Sequence, residues 1–222
     1  MAIRKSALLF ASLGVLSLTA CGGKTDPSRS NFAAAMDQYF AAKGELCIGA
    51  QRWPVEVSDM DIKLGENLAS GTARKMAALE AAGLTSGKEV EVDLMGIMGK
   101  PTGKKVPRRQ YTLTERAKPF EKPSSADTAA SPAKIDLCWG KKALDNVVKW
   151  EGPMKLGSYQ EVGVTYTYKI NDVADWAKAP GIQAAFPQIK RVLDGAGKDE
   201  SRHALKLTSE GWEAKGLDSS FF

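Results

Sequence analysis

The sequence predicts an α+β fold of mostly antiparallel strands with packed helices, and three observations carry that expectation. Gln160–Ile170 alternates, with Val162, Val164, Tyr166, Tyr168 and Ile170 on one side and Glu161, Thr165, Thr167 and Lys169 on the other, the period of a half-buried strand. Two segments have helical spacing followed by a glycine: Asn31–Lys43 before Gly44, and Thr72–Ala82 before Gly83. The chain also matches itself. "ELCIGA" from Glu45 and "DLCWGK" from Asp136 share acid, Leu, Cys, large apolar, Gly at an offset of 91. "RRQYTLTERA" from Arg108 and "RHALKLTSEG" from Arg202 pair Arg108 with Arg202, Leu113 with Leu207 and Thr114 with Thr208 at an offset of 94. Two matches in one order at nearly one offset predict a duplicated unit of about 90 residues.

Each element has a local reason. Asn31–Lys43 puts Phe32, Met36, Tyr39 and Phe40 on one face of a helix. Leu46–Ile48 reads as a strand. Thr72–Ala82 ends at Gly83, with Leu84 placed to touch Leu79 as in a Schellman stop. Lys88–Met95 alternates, which predicts Val90, Val92 and Leu94 facing in and Glu89, Glu91 and Asp93 facing out. Gln110–Leu113 is a short strand, and Thr114 is placed to cap a following helix. Pro119–Lys134, "PFEKPSSADTAASPAK", reads as a linker by composition. Beyond it come strands at Leu137–Trp139, Asn146–Trp150 and Gln160–Ile170, and a helical turn near Asp172–Ala177. A helix near Ile182–Leu193 and a strand at His203–Leu207 follow, then a last helix capped by Thr208 or Ser209 and carrying Trp212. The expected division is 1–20 removable leader, 21–31 flexible tether, 32–118 first unit, 119–134 linker and 135–222 second unit.

The leader expectation comes from Met1–Lys5, which holds Arg4 and Lys5, followed by a charge-free run from Ser6 to Ala20. That run is shorter than the roughly 20 residues a spanning helix needs and has the layout of a secretory signal. At its end, Leu18-Thr19-Ala20-Cys21 resembles the lipobox of bacterial lipoprotein precursors. The resemblance implies cleavage before Cys21, acylation of its thiol and its new amino group, and a membrane partner reached through that lipid. Gly22, where inner-membrane retention would use Asp, implies the periplasmic face of the outer membrane. An ordinary signal peptide cut at Ala20, leaving a free Cys21, is the competing reading. "GGKTDPSRS" after Cys21 is small and polar and reads as a tether.

Without the leader, 31 basic and 26 acidic side chains become 29 and 26, a mild excess that does not indicate a nucleic-acid binder. With Cys21 acylated, Cys47 and Cys138 form an even pair in an oxidising compartment, which predicts a disulfide; two separately buried thiols are the alternative. If bonded, the pair joins equivalent points of the two units.

Between Thr72 and Phe120 the order of helix, "LEAAGL", strand, basic loop and "YTLTERAKPF" resembles the winged-helix pattern of bacterial transcription regulators. In that family a basic wing touches phosphates. Here Lys100, Lys104, Lys105, Arg108 and Arg109 crowd a stretch with no acid. An exported domain meets little DNA, so the alternatives are a solvated hairpin tip and contact with anionic lipid headgroups or another acidic surface.

Catalytic signatures are missing from the sequence. His203 is the one histidine, zinc spacing is absent, and no nucleophile-elbow, metalloprotease or phosphate-loop motif occurs, so no cofactor or metal is expected. Asp59 with Asp61 and Asp199 with Glu200 read as solvated loop charges. The five tryptophans read chiefly as core, although exposed Trp can stack on sugars. The expectation is a non-enzymatic, outer-membrane-anchored lipoprotein that binds a periplasmic protein or the envelope itself, of assembly-factor, inhibitor or immunity type. The alternative is a cell-wall glycan hydrolase using Asp59, Asp61 or Glu89.

Overall fold

The structure is a computed structural model and describes residues 23–65, 71–96, 100–124 and 134–217. Cys21 and the predicted leader lie outside the described residues.

Two antiparallel sheets organise the chain. The large one has the order β1 (Glu45–Cys47), β6 (Lys134–Leu156), β7 (Tyr159–Asn171), β8 (Ser201–Thr208), β9 (Gly211–Ala214), with β5 (Glu121–Ser124) paired to the start of β6. The small one has the order β2 (Val55–Val57), β4 (Pro101–Leu113), β3 (Thr85–Met95). The expected strand at Gln160–Ile170 is the middle of β7, and its predicted inner face is the buried one: Val162, Val164, Tyr166 and Tyr168 are all in the core.

Helix α1 (Arg29–Lys43) lies on that face. Phe32, Met36 and Phe40 pack against Leu144, Val147, Val162, Val164, Leu205 and Trp212, so the helical spacing read from sequence meets the strand's alternation. A second core gathers Val55, Val57, Leu79, Leu84 and Tyr111 from the small-sheet region with Leu137 and Trp139 at the start of β6. Trp176, Ile182, Phe186 and Ile189 from the C-terminal half complete it. Helices α2 (Asp59–Gly65), α3 (Thr72–Ala81), α4 (Pro180–Ala185) and α5 (Pro187–Gly195) belong to this end. Helix α3 stops as expected. Leu84 N–H donates to Leu79 O at 2.9 Å, Gly83 N–H donates to Glu80 O at 2.8 Å, and Gly83 takes φ +74°, a conformation glycine reaches without steric cost.

Cys47 and Cys138 form a disulfide, with Cα atoms 3.8 Å apart. They face each other directly across β1 and β6, beside a register shift between Leu46 and Cys47.

Several expectations are corrected. The expected tether is ordered from residue 23. The Trp212 indole N–H donates to the carbonyls of Thr25 and Asp26 at 3.1 and 3.2 Å, and Asn31 Nδ2 donates to those of Gly23 and Asp26 at 2.9 Å each. Ser28 caps α1 by accepting from Asn31 N–H. Polar composition gave the loop character correctly; the partner that orders it lies some 187 residues away.

Part of the expected linker is also structured. Lys118–Phe120 forms a 3-10 turn and Glu121–Ser124 is β5, while Lys134 already belongs to β6. The two short strands predicted at Leu137–Trp139 and Asn146–Trp150 are one strand, β6, carried through several register shifts. The helix predicted near Ile182–Leu193 is broken at Phe186-Pro187 into α4 and α5, because proline lacks the N–H an uninterrupted helix would use. Among the described residues, no helix follows Thr208. Its hydroxyl donates to Gly211 O at 2.8 Å and closes the β8–β9 turn, so Trp212 sits on a strand. Likewise Thr114 leads into a turn and not a helix.

A duplicated unit is not shown. After α1, which has no counterpart in the second half, both halves run strand, strand, helix, helix, strand, strand, yet their pairings differ. β2 pairs with β4, whereas β7, at the corresponding place, pairs with β6 and β8. β1 pairs with β6 of the other half. A winged-helix domain is not shown either.

Candidate binding surface

The β3–β4 hairpin extends well past the three-residue strand β2, which pairs only with Arg109–Tyr111. Side chains on paired strands alternate between faces, so the register divides the hairpin. Tyr111 and Thr85, both buried, mark the face turned to the core. Gly87, Glu89, Glu91 and Asp93 share it, as do Arg109 and Lys105. The other face carries Lys88, Val90, Val92 and Leu94 from β3, and Val106, Arg108 and Gln110 from β4, while Lys104 lies in the register shift of β4.

This reverses the expectation for β3. Val90, Val92 and Leu94 point away from the core side, and the acids share the core's side. Alternation was legible in the sequence, but which face met the core depended on where α3 and β2 attach. Val90, Val92 and Val106 are half-buried and Leu94 is exposed, and all four stand outside both hydrophobic cores. Lys88 and Arg108 flank them on their own face.

The five clustered bases therefore do not act together. Arg109 turns inward and is fully engaged. It donates two hydrogen bonds to the Glu80 carboxylate at 3.1 Å each, one to Glu89 at 3.2 Å and one from Nε to the Tyr111 hydroxyl at 3.1 Å. The Glu80, Tyr111 and Glu89 contacts hold its guanidinium protonated well above the usual arginine range. Lys105 stands opposite Asp93. Lys100 is exposed just before β4. Of the five, Arg108 alone is placed on the valine face by the register, and Lys104 lies in the register shift of β4.

Arg109 forms one wall of a cleft of about 590 Å³ between α3 and the hairpin, with Ala73, Ala77 and Ile62 supplying apolar surface. Gly87 is required here. Its N–H donates to Glu80 at 2.9 Å, and a Cβ at this position would come within 2.7 Å of Arg109 Nε.

The residues considered as hydrolytic acids are used otherwise. Glu89 and Glu80 converge on Arg109, and neither is deeply buried. Asp61 and Ser58 form a reciprocal cap on α2: Ser58 N–H and hydroxyl donate to the Asp61 carboxylate at 3.0 and 2.6 Å, and Asp61 N–H donates back to Ser58 Oγ at 3.1 Å. Those bonds hold the Asp61 carboxyl below the usual carboxylate range. Asp59 precedes it in the same first turn.

Replacing Ser58 by alanine is expected to cost about 1 kcal/mol of stability, the usual loss for a removed cap. The pH dependence has a definite sign. A carboxyl depressed in the folded state stabilises above its unfolded value, near 3.8, and that contribution disappears as pH falls through the lower folded value. The gap between native and Ser58→Ala urea midpoints should therefore be full near pH 6 and narrow below pH 4 by this linkage. A gap that widens on acidification would refute the assignment.

His203 Nε2 donates to Lys215 O at 2.9 Å and its ring lies 4.4 Å from that of Tyr39, a packed position. Trp139, Trp176 and Trp212 are buried as expected, while Trp53 and Trp150 are half-buried. Among the described residues, no cluster of His, Cys, Asp or Glu is placed to hold a metal ion, and no helix is long and apolar enough to cross a membrane.

The class defined by these observations is an α+β protein of two antiparallel sheets with a projecting, two-faced hairpin. Comparison with protein-family models, with curated proteins and with solved structures finds no match for the chain.

Proposed function

We propose that this chain is a lipoprotein anchored through Cys21 to the periplasmic face of the outer membrane, where it binds an acidic protein partner through the outward face of the β3–β4 hairpin. It acts as a non-enzymatic assembly factor, inhibitor or immunity-type protein. The observation that carries the binding reading is the face itself: among the described residues, Val90, Val92, Val106 and Leu94 pack in neither core and are bordered by Lys88 and Arg108. Apolar surface with a rim of one charge suits a protein surface of opposite charge.

Part of the winged-helix resemblance supports a helix-plus-wing shape, since α3 leads directly into the hairpin and the sheet order is β2-β4-β3. Export would keep that wing from DNA. The non-enzymatic reading is supported by the cleft, whose carboxylates both serve Arg109.

The test is photo-crosslinking from position 92 in intact envelopes, using full-length protein and a variant with Lys88→Glu and Arg108→Glu. A discrete crosslinked protein, lost in the charge-reversed variant, is the expected result. Crosslinks that survive charge reversal, or none in either protein, would remove this face as the binding surface. Mass spectrometry of the mature amino terminus, with a Cys21→Ser control, tests the anchor.

A further inference from the structure

Resting on the lipid-anchor reading, we propose that the β6–β7 hairpin tip is a second membrane contact that seats the fold directly on the lipid leaflet. Cys21 is two residues before Gly23, so its sulfur-bearing residue lies within about 7 Å of Gly23 whatever path joins them. Gly23 does not begin a long tether. Residues 24–26 are held on the β8–β9 turn by Trp212, and the Lys24 carbonyl lies 3.0 Å from where a Cβ on Gly211 would stand. Acyl chains on Cys21 would therefore leave this end of the large sheet against the bilayer.

The same end carries the most exposed apolar side chain among the described residues. Register pairs Glu161 with Lys206 and Thr208 with Gly211, which brings Tyr159 level with the β8–β9 turn. Beside it, Leu156 is 82% exposed, Met154 68% and Tyr159 43%. The pairs Leu156↔Tyr159 and Met154↔Glu161 put all three apolar side chains on one face of the hairpin. Exposed Leu and Met side chains beside a tyrosine match what lipid interfaces accept, and Lys155 and Lys24, both exposed, can meet phosphate headgroups. The hairpin would enter the headgroup boundary while the acyl chains hold the neighbouring strand turn.

The experiment uses mature protein purified from envelopes and reconstituted in phosphatidylethanolamine–phosphatidylglycerol vesicles containing doxyl-labelled lipid. A fluorophore is placed through Leu156→Cys or, as the distant control, through Lys198→Cys, beside Gly197, whose N–H donates to Tyr168 O near the other end of β7. Mass spectrometry on the same samples reads acylation of Cys21. Acylated protein quenched several-fold more at position 156 than at 198 is the expected result. Acylated protein with equal quenching at both positions overturns the hairpin contact and leaves the anchor reading standing. Unacylated protein overturns both.

Discussion

Replacing Phe32 by alanine is expected to cost about 4 kcal/mol, within the range for deleting a buried aromatic ring. Phe32 is fully buried where α1 meets the large sheet. Its ring meets Trp150 edge-on at 5.3 Å and Trp212 at 5.2 Å, so one truncation empties a site bounded by two rings from different strands. The loss has three sources: transfer of the side chain, the residual cavity, and the two aromatic contacts, each worth about 1 kcal/mol beyond area burial. Trp212 also holds residues 25 and 26, so the variant should speed amide exchange at the start of the described chain. Urea unfolding is the measurement. A loss below about 1 kcal/mol would mean that α1 is not a structural part of the core.

Removing the Cys47–Cys138 bridge with paired serines should cost roughly 2–4 kcal/mol. The bond closes a separation of 91 residues, and cross-linking so long a loop restricts the unfolded chain severely. It also pins β1 to β6 where the small-sheet core begins. The backbone bonds near it, Ile48 N–H to Leu137 O at 3.1 Å and the reciprocal Gln51–Ile135 pair, would then hold that edge together with the Glu45–Lys141 and Leu46–Gly140 pairing. Unfolding midpoints of native protein with and without reductant should differ by about as much as the native and double-serine proteins. Equal stability in all these samples would show that β1 stays on β6 without the bond.

Legibility followed the range of the interaction responsible. The β7 alternation, the α1 face and the Gly83 stop were readable because each is decided within a few residues. The cysteine pairing was readable from count and from the compartment the leader pattern led us to expect. The last helix failed because "KLTSEG" suits a helix cap locally, and pairing of Trp212 with Leu207 overrides that preference. The hairpin shows the same limit at the candidate site. Its charges and valines were visible as alternating rows, and its five bases as one cluster. Their division between two faces came only with the strand register.

By itself the sequence determined the class of the fold, the periodicities of its strongest helix and strand, and the cysteine partners. Tertiary structure decided which face of the hairpin met the core, whether the amino-terminal loop was free or held, and how the strands of the two halves were shared between sheets. The physical reason is that periodicity and turn chemistry act between neighbours along the chain. Facing, pairing and seating are settled by contacts between residues far apart in sequence, such as Trp212 with Thr25 and Cys47 with Cys138.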